Sequence, residues 1–127
     1  MSVLPPEFRR IHLELAREPN HPQGSRRIGY DLTAPLDHDN RLAADLWKKH
    51  RDHCRVRRFV EGQDDLHGHL ARQPGGSWLL DFDPVRDSDD QRGFRLGEER
   101  FLPGEYVSIG DEHGAMRTYV VVSVEPI

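Results

Sequence analysis

Residues 94–125, FRLGEERFLPGEYVSIGDEHGAMRTYVVVSVE, restrict the fold of this chain more than any other stretch. Val107 and Ile109 alternate with Tyr106 and Ser108; further on, Val120, Val122 and Val124 alternate with Tyr119, Val121 and Ser123. A period of two is the pattern of half-buried strands, and no helix can bury it on one face. Between the two runs, Gly110-Asp111-Glu112-His113-Gly114 is turn chemistry, so the spacing predicts a hairpin. Ahead of it Pro103-Gly104 has the composition of a type II turn, in which proline presets φ and glycine takes the left-handed position. That turn would feed a strand at Phe101 into the hairpin.

The rest of the chain supplies partners for this β-rich segment. Ile11, Leu13 and Leu15 alternate with His12, Glu14 and Ala16, which predicts a strand over residues 8–17 with His12 on its wet face. Residues 18–27 carry two prolines and a glycine and read as a surface loop; Ile28, Tyr30 and Leu32 then alternate as a second strand that stops near Pro35. Asn40 is placed to cap a helix over residues 41–53, on which Ala43, Leu46, Trp47, His50 and Cys54 would form one buried stripe. Val56, Phe59 and Val60 suggest another strand, followed by one from Leu66 to Arg72. Gln73-Pro74-Gly75-Gly76 turns the latter into a strand whose Trp78, Leu80 and Phe82 share a face. Residues 83–93, rich in aspartate and without periodicity, read as a loop. No repeat is present at solenoid or propeller spacing. The count gives a single domain over residues 1–127 of class α+β, mostly antiparallel: a strongly bent sheet or partly closed barrel of about seven to nine short strands with one helix packed on it.

Composition excludes several classes. A formal net charge of −4 argues against nucleic acid or an anionic membrane as the main partner. Cys54 is the only cysteine, so an intramolecular disulfide and a Cys-rich zinc site are ruled out. No apolar run approaches the length of a signal peptide core or a membrane span, which points to a cytoplasmic protein.

Four clusters carry potential chemistry. His67 and His69 lie two apart on a predicted strand, so both imidazoles share a face and are the candidate ligands for a divalent transition metal. His67-Gly68-His69 resembles the His-x-His of the cupin barrels, and residues 97–103 loosely resemble a second cupin motif; the resemblance implies a metal-dependent enzyme. Gln73 stands where that resemblance expects a ligand glutamate, and no histidine follows Pro103-Gly104 before His113. Among residues elsewhere, His12 and His113 are the candidates for a third ligand. A second cluster, His50, His53 and Cys54, raises a histidine-activated thiol, set against a packed histidine and a small buried cysteine. Third, Lys48, Lys49, Arg51, Arg55, Arg57 and Arg58 concentrate positive charge around one Asp52, and Arg55, Arg57 and Arg58 are the candidate anion-binding residues. Fourth, the aspartates of residues 37–39 and 87–90 lack the glycine and glutamate spacing of an EF-hand and read as turns. Phosphate-binding glycine loops, H-E-x-x-H and G-x-S-x-G are absent.

HLELAREP near the start and PGEYVSI near the end resemble segments of small uncharacterised bacterial proteins, a resemblance that transfers no active site. With no nucleophile, base and electrophile that assemble from sequence, the chain reads as a non-enzymatic binding or interaction module without a cofactor, whose partner is a protein or small molecule. The alternatives are the metal-dependent enzyme on His67 and His69 and an anion or nucleic-acid binder on the basic cluster.

Overall fold

The computed structural model describes residues 4–83, 92–96, 99–110 and 115–127. Eight strands follow one another around a curled antiparallel sheet: β1 (Phe8–Leu15), β2 (Ser25–Pro35), β3 (Arg55–Val60), β4 (Leu66–Arg72), β5 (Trp78–Phe82), β6 (Arg92–Leu96), β7 (Tyr106–Gly110) and β8 (Met116–Pro126). β8 pairs back on β1, with Arg9 opposite Pro126 and Leu15 opposite Tyr119, so the sheet meets itself as a barrel. Each strand neighbours the next in sequence, the order of an up-and-down barrel. Cupins are instead built as double-sheet jelly rolls with Greek key connections, so their topology is not this one.

Alternation decides which side chains enter the barrel. Ile11, Leu13, Leu32, Val56, Leu70, Leu80, Phe82, Val107, Ile109 and Val121 are all buried in one contiguous core. On β8 the buried residues are Tyr119 and Val121, while Val122 is exposed. The register on β1 shifts between His12 and Leu13, which passes over Val122 and brings Val124 opposite Ile11. A bulge of this kind re-aims the residues after it. The predicted strand at Phe101 is not a strand: Phe101 is a fully buried plug outside the sheet, and the strand before β7 is β6. The turn ahead of β7 is as expected, since the Glu105 amide donates to the Leu102 carbonyl and Gly104 has φ 89°. Residues 84–91 of the expected loop and Asp111–Gly114 of the expected hairpin turn lie outside the described residues.

The helical element differs most from expectation. In place of a helix over residues 41–53, α1 covers Ala44–Lys49 and a single 3-10 turn covers Arg51–His53. Its N-cap is Ala43, which makes no side-chain cap hydrogen bond. Asn40 instead takes the left-handed conformation, φ 62°, inside a tight turn that precedes the helix. α1 buries no residue completely: Trp47 is half-buried against the core, and the stripe fails because Cys54 has left the helix for the start of β3. No described helix is long and apolar enough to cross a membrane.

Candidate functional site

The end of the barrel between β2 and β3 is closed by the segment from Leu36 to His53, and backbone hydrogen bonds hold it there. The Leu36 amide donates to Glu7, the Ala43 amide to Pro35, and the Phe101 amide to Asn40. The turn is tightened by Asp37, whose Oδ1 accepts the amides of Asp39 at 2.8 Å and Arg41 at 3.1 Å. Aspartate and asparagine serve such turns because their short side chains bond nearby backbone and tolerate the left-handed region. From α1, the Trp47 indole N–H donates to the Leu70 carbonyl at 2.7 Å, and its ring meets Trp78 edge to face at 5.5 Å. Both tryptophans of the chain therefore stand at this end.

Two clefts flank this segment. The smaller, of about 150 Å³, is lined by Asp37, Arg41, Leu42, Ala44, Arg72, Trp78 and Glu99. Arg72 lies over the Trp78 ring, its Cζ 5.4 Å from the ring centre. The larger, of about 740 Å³, runs along the other side and is formed by the β1 start, the turn and the outer side of α1, with Leu36, Ala43 and Leu46 as its apolar part.

His67 and His69 do share one face, flanking the buried Gly68, and that face is the outside of the barrel. Arg55 Nη1 donates to His69 Nε2 at 3.3 Å, which puts a cation on that nitrogen. Among the described residues, the donor group compact enough to hold an ion is Asp37, His38 and Asp39, and it includes neither His67 nor His69. His113 lies outside the described residues. The glycine between the histidines has a steric explanation: a Cβ on Gly68 would sit 2.0 Å from the Asp81 carbonyl oxygen of β5.

His12 is drawn into a network of its own. Its Nδ1 donates to Asp31 at 2.6 Å and its Nε2 to Glu14 at 2.9 Å. Asp31 also receives Arg57, at 2.5 Å from Nη2, and Arg57 Nη1 reaches Asp65 at 3.0 Å. Partial burial alone would pull the imidazole down, but its hydrogen bonds to Asp31 and Glu14 and their charges outweigh this and raise its pKa. In the protonated form both ring nitrogens donate to carboxylates and offer a metal no lone pair. Phe59 stacks on the His12 ring at 5.6 Å with planes 6° apart, and it lies over Gly29, where a Cβ would meet its ring at 2.8 Å.

The basic cluster is divided by strand geometry. Arg57 is held by Asp31 and Asp65 on the outer face. Arg58 points the opposite way, opposite Tyr30 in the register, where it hydrogen-bonds the Tyr30 hydroxyl beside Tyr119. Arg55 is exposed, as are Lys48, Lys49 and Arg51. Cys54 is fully buried, its Sγ donating to the His50 carbonyl at 3.4 Å, and burial pushes its pKa up to about 12. A thiol with that pKa is not a nucleophile at neutral pH, and the reading of a small buried cysteine is the one its surroundings match.

Sequence reasoning missed Arg41, Arg72 and Glu99, because what gathers them is the fold of the 36–43 turn against the β4–β5 hairpin. Comparison with known proteins finds no matching family model, no matching curated sequence and no matching solved structure.

Proposed function

We propose that this protein is a non-enzymatic binding module whose ligand is held at the barrel end closed by residues 36–53. The observation that carries the reading is the smaller cleft: a half-open space floored by Trp78, lined by charged side chains, and built on a turn fixed by backbone hydrogen bonds. Pre-formed clefts with an aromatic wall and a few polar groups are where small molecules bind. Two residues of a type suited to catalysis are otherwise occupied, Cys54 by burial and His12 by two carboxylates. Because both tryptophans stand at this end, a ligand in the cleft reports itself through their emission or indole N–H resonances. A fragment library screened by either signal should give hits that Arg72→Gln weakens. Hits that shift neither indole resonance, or none at all, would refute the reading.

A second reading, binding of an acidic partner, draws on the exposed Lys48, Lys49, Arg51 and Arg55, none of which has a carboxylate within ion-pair distance among the described residues. It predicts binding of heparin or a polyanionic peptide that falls steeply with salt and is lost on reversing these four charges.

A further inference from the structure

We infer that the smaller cleft is a site for a small zwitterion, a free α-amino acid with an aliphatic side chain. The inference rests on the binding-module reading and names its ligand class.

The cleft presents two cations, Arg41 and Arg72, and two anions, Asp37 and Glu99, around one space of about 150 Å³. Opposite charges that share one cleft are placed to pair with each other or with a ligand. Here, among the described residues, neither arginine makes an ion pair with either acid, although Asp31–Arg57, Glu18–Arg117 and Arg27–Glu61 all do so elsewhere. The reason at Asp37 is visible: Oδ1 is committed to the amides of Asp39 and Arg41, which fixes its carboxylate in the turn. Arg72 is kept over the Trp78 ring by the cation–π attraction between guanidinium and indole.

Uncancelled charges of both signs across one cleft create a field that a dipolar ligand complements and a singly charged one does not. A carboxylate is matched by guanidinium donors in bidentate geometry, and an ammonium by carboxylate acceptors. Leu42, Ala44 and Trp78 supply the apolar remainder of the lining and suit an aliphatic side chain. At about 30 Å³ of liquid volume per water, the space of about 150 Å³ has room for roughly five waters, which limits the ligand to one small molecule such as a free amino acid. A peptide terminus offers only one of the two charges within that space, so the free amino acid is the better match.

Three probes separate the terms. L-Leucine carries both charges, 3-methylbutylamine lacks its carboxylate, and 4-methylpentanoate lacks its ammonium. Titrated into the full chain while the two indole N–H resonances are followed, leucine should bind at least about tenfold more tightly than either analogue. Arg72→Gln should weaken leucine and 4-methylpentanoate and leave 3-methylbutylamine unchanged, while Glu99→Gln should do the reverse for the two analogues. Equal affinity for all three probes, or a preference for either analogue, would overturn the zwitterion inference while the cleft remains a binding site. Indole resonances that respond to fragments but to none of the three would have the same meaning, and silence to fragments and probes alike would overturn both readings.

Discussion

Single residues here owe their type to close neighbours rather than to chemistry. Gly68, which sits between two histidines, is one: the β5 backbone occupies the place of its Cβ, so Gly68→Ala must push apart β4 and β5. We expect it to cost about 1–3 kcal/mol in urea denaturation, the usual penalty of overpacking. Cys54 should be silent toward a thiol reagent in the native state and react once denaturant is added, because its thiol is buried and held well above the neutral range. His12 gives a pH signature. Its folded pKa is raised by Asp31 and Glu14, so its contribution is complete below the unfolded histidine value and is lost as pH rises through the folded one. Denaturation of wild type and His12→Gln should therefore differ more at mildly acid pH than at pH 9, by about 0.5–1 kcal/mol given the partial exposure of the network. A difference that grows with pH would mean that His12 is neutral in the fold.

At the scale of elements, most strands are legible in the sequence, while the strand expected at Phe101, the start of β6 inside the expected 83–93 loop, and the helix are not. Alternation at Ile11, Leu13 and Leu15, at Tyr30 and Leu32, and at Trp78, Leu80 and Phe82 placed those residues inside, because a barrel wall has one dry face and the period of two records it. Arg58 broke the pattern unseen, since an inward arginine whose partner is a tyrosine leaves no sequence mark. The helix was overextended because helix-forming residues continue from Arg41 to Cys54, while the backbone bonds of the 36–43 turn and the burial of Cys54 at the start of β3 leave room for less than two turns. Tertiary anchoring outweighs propensity in so short a segment. The candidate site was hidden for the same reason. Trp47 now stands as the bolt of this segment, half-buried and hydrogen-bonded to Leu70, so Trp47→Ala should cost about 2–3 kcal/mol, less than emptying a fully buried aromatic site. Trp47→Phe keeps most of the ring and loses the indole donor, so about 1 kcal/mol should separate it from wild type in urea denaturation.

At the scale of the whole molecule, the pairing around the barrel is uneven among the described residues, and we expect the ring to open where that pairing is thinnest. β1 is paired along its length with β2 on one side and with β8 on the other, which makes it the most tightly held strand of the ring. β6 meets β7 through Arg95 opposite Gly110 and Leu96 opposite Ile109 alone among the described residues. An up-and-down barrel gains its closure from the last seam as much as the first, since one open seam turns a ring into a sheet with two edges. Among the described residues, opening at β6–β7 breaks the fewest ladder bonds, and the chain-order topology lets it happen without unthreading any other strand. Native-state hydrogen exchange should accordingly show the β6 and β7 amides exchanging through a local opening of lower free energy, while the amides of Ile11, Leu13 and Leu32 exchange only with global unfolding. The candidate cleft lies beside Trp78, which pairs with Leu96 across the neighbouring β5–β6 ladder, and Glu99 follows Leu96 closely in the chain. A ligand that bridges Arg72 and Glu99 would tie β4 to the segment after β6, so saturating ligand should slow exchange at Leu96 more than at Leu13. Equal protection at both positions would mean that the ligand stabilises the fold globally and leaves the seam as it was.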